Sequence, residues 1–464
     1  MILLTHAYFL HEDAREQLIM KPYPPLGILY LAAWLDRHGA DNVVFDSTFS
    51  TFRQLQTELL LQRPRIIALY ANLMTKINAV RLMRWIRAQP ELEHSTIVLG
   101  GPDVSHNALN YLHAGAHLMV IGEGEQTLLE IARLPRQAPE YWSQVTGTAF
   151  LDTDGQLVQT PARVKLRDLD ALPVPARHKT DLQQYLDAWK KAHGHSAISI
   201  STQRGCPYTC KWCSTAVYGQ SYRRRSPAAV ADEIEQLTAQ YDFDLIWFVD
   251  DVFTVSHKWL EAFRDELRHR RLNVRFECIT RADRMTPEVV AMLREAGCFR
   301  VWIGAESGAQ RIIDAMDRRV QVEQVQEMII ASRQAGIETG TFIMLGYPGE
   351  TEADILATAR HLKTANPDWF TITLAYPIKG TALYNEVENA IQTPGPWESH
   401  TDREIDFPRT YSRRYYNYAI RWMVNTVHFH KEKVRGKAFS PSAIRYRIKA
   451  LAARAGMWAT RKEQ

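Results

Sequence analysis

Residues 204–213 read RGCPYTCKWC, which places Cys206, Cys210 and Cys213 within eight positions of a 464-residue chain that has five cysteines in all. Disulfides pair cysteines two by two, so an odd triplet on so short a tether is a poor staple. A metal site is the better reading. What the site does depends on where the triplet stands in the chain, and that is set by the rhythm of the sequence on either side.

From residue 196 to about 385, strand-like runs alternate with amphipathic segments. The runs are AISIST, LIWFVDD, RFECIT, RVWIGAES, GTFIMLGY and WFTITLAYP; segments such as SPAAVADEIEQLTAQY, TPEVVAMLREAG and TEADILATARHLKTA carry helical spacing. Six such strands predict a (β/α)6-type partial barrel, with active residues at the C-terminal ends of the strands. The cysteine triplet follows the first of them, where such a barrel puts chemistry.

Residues 1–135 alternate in the same way. ILLTHAY, NVVFDS, RIIALYA, STIVLGG and HLMVIGEGE are separated by helical stretches such as PLGILYLAAWLDRHG. This predicts a Rossmann-like parallel sheet, so the class is α/β throughout. The loops at Asp46, Gly100 to Ser105 and Gly122 to Glu125 gather at its carboxyl edge, where open α/β sheets bind ligands. No GxGxxG follows the first strand, so the dinucleotide fingerprint is absent. Residues 136–195 read as a linker and cap, with a hairpin turning at Asp154-Gly155 and the aperiodic connector LRDLDALPVPARH. Residues 386–464 read as a helical, basic C-terminal region, and 431–464 hold ten Lys or Arg against two Glu.

With 46% hydrophobic residues, 23% charged residues and a net charge of +4, the composition is that of an ordinary globular chain with room for several domains. The start MILLTHAYFLHEDAREQ lacks the basic flank and cleavage site of a signal peptide, and no apolar stretch approaches the ~20 residues of a membrane span. The expected compartment is the cytoplasm, where thiols stay reduced. A basic excess at one end, without a reader module, argues against nucleic acid as partner. The helix-compatible stretch SAIRYRIKALAARAGMW either covers the barrel, makes peripheral contact with an anionic membrane, or meets a lipid-like substrate.

For the triplet itself, structural zinc wants four protein ligands, and His193 or His195 would have to supply the fourth. A 4Fe-4S cluster on three thiolates leaves one iron open to a small molecule. The barrel loop and the lack of a second cysteine pair favour the cluster.

CxxxCxxC with Trp212 before the last cysteine is followed in order by YRRRSP, FVDDVF, GAESG, LGYPGET and YPIKGTALY. Over residues 196–385 this resembles the radical S-adenosylmethionine (SAM) superfamily. The resemblance implies that Cys206, Cys210 and Cys213 hold a 4Fe-4S cluster whose open iron is chelated by SAM. It also implies that an electron from a flavodoxin or ferredoxin, passed through the cluster, cleaves SAM to a 5′-deoxyadenosyl radical. By the same resemblance Trp212 flanks the adenosine, Asp250 and Asp251 lie where the SAM amino group binds, and Glu306 and Ser307 lie where the ribose hydroxyls are held. The usual glycine-rich amino-binding motif is replaced by the two aspartates, and a strand-end aspartate can equally cap a helix.

The N-terminal PPLGILYLAAWL, GGPDVS and GEGEQTL resemble the cobalamin-binding branch, which includes methyltransferases and the anaerobic oxidative ring cyclase of bacteriochlorophyll synthesis. The expected cobalamin contacts are Gly100, Gly101, Ser105, Gly122, Glu123 and Gly124, in loops that also read as tight strand-to-helix turns. The DxHxxG motif of methionine-synthase-type domains has no counterpart, because DSTFST at 46–51 lacks both the histidine and the glycine. Methylthiotransferases and members with auxiliary clusters need more cysteines than Cys278 and Cys298, which read as buried structural thiols, with Cys278 alternatively a hydrogen-atom donor. The resemblance thus implies a cobalamin-dependent radical SAM enzyme acting on a small molecule, lipid-like or tetrapyrrole, by methyl transfer. The alternatives are oxidative cyclisation or rearrangement by the same machinery and, from another class, a zinc-stabilised ligand-binding protein.

Overall fold

The alternation in the first 135 residues builds a sheet with both faces covered. In the computed structural model, which describes residues 1–214 and 219–463, β1 (Ile2–His6), β2 (Asn42–Phe45), β3 (Ile66–Tyr70), β4 (Thr96–Gly100) and β5 (Leu118–Val120) are all parallel, in the order β2-β1-β3-β4-β5. Leu3, Ile67, Leu69, Ile97 and Leu99 face one way, against Phe52, Leu55, Val80, Met83 and Tyr111. Ile2, Leu4, Ile66, Val98 and Leu118 face the other, against Ile28, Ala32, Leu35 and Leu129. Burial on both faces is why these strands read as continuous apolar runs. The predicted hairpin forms as β6 (Thr148–Leu151) and β7 (Leu157–Gln159), and β6 lengthens the sheet by pairing antiparallel to β5. Its turn is held by the Asp152 carboxylate, which accepts from the backbone N–H groups of Asp154 at 3.0 Å and Gln156 at 2.8 Å, beside Gly155 at φ +74°.

These strands belong to one of two compact units, made of Met1–Pro207, Ser214–Leu245 and Thr393–Ile405. The same unit holds β8 (Ala197–Ile200) and the short antiparallel pair β9 (Gln203–Arg204) and β10 (Arg223–Arg224), which brackets the cysteine-bearing segment.

The other unit comprises Tyr208–Cys213, Ile246–Gln392 and Asp406–Gln464. Strands β11 (Leu245–Phe248), β12 (Phe276–Thr280), β13 (Cys298–Glu306), β14 (Glu338–Leu345) and β15 (Trp369–Leu374) lie parallel in sequence order. Helices His257–His269, Pro287–Glu295, Val322–Gln334 and Glu352–Ala365 lie between them in the chain. All six strands predicted for the barrel are therefore strands. Helices Arg413–Val434 and Pro441–Thr460 then pack on each other, and a Cβ added to Gly456 would lie 2.5 Å from the Tyr418 ring, so glycine sets their close approach. Among the described residues no helix is long and apolar enough to cross a membrane.

Candidate active site

The segment Tyr208–Cys213 is fastened through the Lys211 backbone and the Thr209 side chain. Lys211 N donates to Met316 O at 3.0 Å, Leu383 N donates to Lys211 O at 2.8 Å, and Thr209 Oγ1 donates to Asp317 Oδ2 at 2.5 Å. So held, Cys210 receives two guanidinium donors, Arg281 Nη1 at 3.4 Å and Arg318 Nη1 at 3.7 Å from Sγ. Arg281 follows β12, lies over the Tyr208 ring at 3.9 Å, and donates to Arg318 O at 2.6 Å and Asp283 Oδ1 at 2.8 Å. Arg318 donates to Gly304 O at 2.8 Å and stands 3.5 Å from Glu306 Oε1. A Cβ on Gly304 would lie 2.3 Å from Arg318 Nη2, so the approach needs glycine there.

Both arginines are buried, and buried cations are costly unless anions meet them. Sulfur ligands of iron–sulfur clusters accept hydrogen bonds of this kind. The donor set at Cys210 therefore fits a cluster ligand. Neither arginine was anticipated from the sequence. The one local signal, the position of Arg281 directly after a strand, is shared by many residues. Arg318 sits between two left-handed residues that are not glycine, Asp317 at φ +50° and Arg319 at φ +56°, which pattern reading does not detect.

Cys206 is buried and forms an isolated bridge with Gln220. Gly205 before it has φ +82°, and a Cβ there would lie 2.2 Å from Ser221 O. Among the described residues no set of three or more His, Cys, Asp or Glu side chains is grouped as a metal centre, so the triplet rests on its spacing and on the donors at Cys210. Of the candidate zinc ligands, His193 Nε2 is taken up by the carbonyls of Ile19 at 3.1 Å and Met20 at 3.0 Å, and His195 lies beside Trp189. Trp212 packs on Ile312, Met316, Met344 and Leu383, with the Arg318 guanidinium 5.5 Å from its ring. Cys278 and Cys298 are fully buried, and Cys298 Sγ donates to Arg300 O at 3.3 Å.

Asp250 and Asp251 follow β11, the first of them buried. Surrounding protein and the Asp250 charge raise the Asp251 carboxyl. The next helix is capped by Ser256, whose Oγ accepts from Trp259 N at 3.2 Å, so neither aspartate is its cap. Glu306 ends β13 at a break in register with β14, buried and at φ +61°. Burial raises its carboxyl, while Arg318 and Arg281 act to lower it. A left-handed non-glycine residue costs about 1 kcal/mol or more, and such strain clusters at functional sites. Ser307 is drawn inward: its Oγ lies 3.2 Å from Thr358 Oγ1 and accepts from Ala309 N at 3.2 Å.

In the loop after β14, Glu350 accepts from Gly346 N at 2.6 Å through Oε2, while its buried Oε1 has no partner. Burial pushes this carboxyl up to about 8. The folded protein keeps the proton while the unfolded chain releases it at about pH 4, so this group makes stability fall as pH rises between those limits. Glu350→Gln removes that loss. In urea unfolding the variant is expected to be more stable than the parent by about 2 kcal/mol or more above pH 8, with the gap closing towards pH 4. Equal pH slopes for the two proteins contradict the assignment.

In the other unit, the order β2-β1-β3-β4-β5 reverses between β1 and β3, which puts the ligand crevice of such sheets at the C-terminal ends of those two strands. The turn after β3 is tight, with Asn72 Oδ1 accepting from the backbone N–H of Met74 at 2.9 Å and of Thr75 at 3.0 Å. The sequence reading named other loops, because strand order is not written in it. Asp46 is engaged by His6 Nε2 at 3.0 Å, Thr180 Oγ1 at 2.6 Å and Tyr185 OH at 2.7 Å. Against the upward pull of burial, these donors hold its carboxyl well below the usual range. Gly100 ends β4; Gly101, at φ +112°, would bring a Cβ 2.3 Å from Ala71 O. Ser105 lies in the first turn of Val104–His113, Gly122 is at φ +86°, and Gly124 opens Gly124–Arg133. Glu123 accepts from Leu166 N at 2.7 Å and pairs with Arg223 at 2.7 Å and Arg204 at 3.4 Å; Arg204 also pairs with Glu125. Glu123 therefore grips the β9-β10 pair that flanks the cysteine segment.

Residues 200–362 match the Radical SAM superfamily, and residues 19–132 match the B12 binding domain. The chain combines a radical SAM domain with a B12-binding domain, as its motifs led us to expect. An uncharacterized methyltransferase of Pyrococcus horikoshii is 25% identical over 399 residues, which cover 84% of each chain. The anaerobic magnesium-protoporphyrin IX monomethyl ester cyclase of Rubrivivax gelatinosus is 27% identical over 405 residues, covering 84% of this chain and 70% of the cyclase. Among solved structures, the cobalamin-dependent S-adenosylmethionine radical enzyme OxsB with aqua-cobalamin bound is similar in fold, with a TM-score of 0.76 over 97% of this chain and 72% of that one at 16% identity. The zinc-stabilised binding protein is set aside by the radical SAM match.

Proposed function

We propose that this protein is a cobalamin-dependent radical SAM enzyme that transfers a methyl group to an unactivated carbon of a small tetrapyrrole or lipid-like molecule. The observation that carries the reading is the joining of a B12-binding domain to a radical SAM domain in one chain. Residues 1–135 are assigned to the corrinoid, 136–195 to linker and cap, 196–385 to SAM chemistry, and 386–464 to a helical region. When bound, a 4Fe-4S cluster supplies the electron that cleaves SAM, and cobalamin supplies the methyl group. Cys206, Cys210 and Cys213 would hold the cluster, with Arg281 and Arg318 donating to the Cys210 sulfur. Asp250 and Asp251 offer negative charge to the SAM ammonium, Glu306 accepts from ribose hydroxyls, and Trp212 gives the adenosine an apolar wall. Gly100, Gly101, Ser105, Gly122, Glu123 and Gly124 remain the assigned corrinoid side. A flavodoxin or ferredoxin delivers the electron.

The likeness to the cyclase supports a second reading, oxidative ring closure. One assay separates the two. The reconstituted protein is given SAM labelled in its methyl group and either magnesium-protoporphyrin monomethyl ester or a hopanoid as trial substrate. Methyl transfer yields labelled product, with S-adenosylhomocysteine and 5′-deoxyadenosine in equal amounts. Product with 5′-deoxyadenosine but no label or S-adenosylhomocysteine establishes the oxidative reaction and overturns methyl transfer.

A further inference from the structure

The helix Pro441–Thr460 buries Ala443, Ala453 and Met457 and leaves its opposite face bare. At 100° per residue, Ile444, Ile448, Leu451, Ala455 and Trp458 fall on one stripe of that face. Ile448 is 62% exposed, Leu451 64% and Trp458 80%, values expected of lysines rather than of a core stripe. Arg445 and Lys449 flank the stripe on one side and Arg447 on the other, and residues 441–462 contain no acidic side chain. In the turn that leads into the helix, Phe439 is 91% exposed, close in sequence to Lys433, Arg435 and Lys437.

We infer that this helix docks on an anionic phospholipid surface, with its apolar stripe at the headgroup–acyl boundary and its arginines and lysines on the lipid phosphates. Charge complementarity selects this occupant. A second copy related by a two-fold axis would bring basic flank against basic flank, which is repulsive. A nucleic acid would satisfy the flanks but leave Ile448, Leu451 and Trp458 against phosphates and water. A bilayer interface accepts both halves of the pattern, and an exposed tryptophan suits it. The inference does not depend on the chemistry at the cysteines.

The test is co-sedimentation of the full-length protein with vesicles of phosphatidylcholine alone or mixed with phosphatidylglycerol. Binding is expected to the mixed vesicles, to weaken strongly in high salt, and to be negligible on phosphatidylcholine. Arg445→Ser with Lys449→Ser should reduce partitioning on the order of tenfold. Ile448→Ser with Leu451→Ser should abolish it while far-UV circular dichroism is unchanged, since both residues lie away from the buried face. Failure to sediment with the mixed vesicles, or binding indifferent to both double variants, overturns the proposal. So does a dimer dispersed by Ile448→Ser with Leu451→Ser in sedimentation velocity, or binding to duplex DNA in place of vesicles.

Discussion

Cys210→Ala protein, purified anaerobically and reconstituted with iron and sulfide, is expected to lack the 4Fe-4S absorbance and to release no 5′-deoxyadenosine from SAM. A three-thiolate cluster has no spare ligand, and the remaining cysteines, Cys278 and Cys298, are buried within strands. The variant also takes the sulfur away from Arg281 and Arg318. Each keeps a carbonyl partner, Arg318 O and Gly304 O, so the fold should survive at a cost of about 1–3 kcal/mol for unmet donors. Cys298→Ala is the control. It removes a buried thiol that donates to Arg300 O, costs about 1 kcal/mol and leaves cluster and SAM cleavage intact. Retained cluster in Cys210→Ala, or its loss in Cys298→Ala, contradicts the ligand assignment.

Glu123→Gln is expected to destabilise the protein by roughly 3 kcal/mol, because it takes the charge away from two nearly buried arginines. Arg204 retains Glu125, and Arg223 retains a hydrogen bond to Leu166 O at 2.6 Å. Urea unfolding measures the loss. The accompanying readout is cluster content, since Arg204 lies two residues before Cys206 and a loosened β9-β10 pair frees that end of the segment. Unchanged stability and unchanged cluster content contradict this role.

The parallel strands of the first sheet were legible because apolar clusters lie on both faces, so Ile66–Tyr70 reads as an apolar run whatever its neighbours, while those of the second were legible from their alternation with helical segments. The cysteine spacing was legible because it is local, as was the tight turn at Gly101, which has φ +112°. What could not be read depends on distance in sequence. The engagement of Glu123 joins residues 81 and 100 positions apart, and Arg318 reaches Cys210 across 108. Charged partners that far apart leave no periodic trace. Strand order is not legible for a related reason: alternation announces a parallel sheet but not the order of its strands, and so not where the order reverses.

Anaerobic full-length protein reconstituted with iron and sulfide, then given SAM and dithionite, is expected to bind iron rather than zinc and to convert SAM to 5′-deoxyadenosine and methionine. A protein that takes up zinc, forms no iron–sulfur cluster and returns SAM intact would contradict the account at its root.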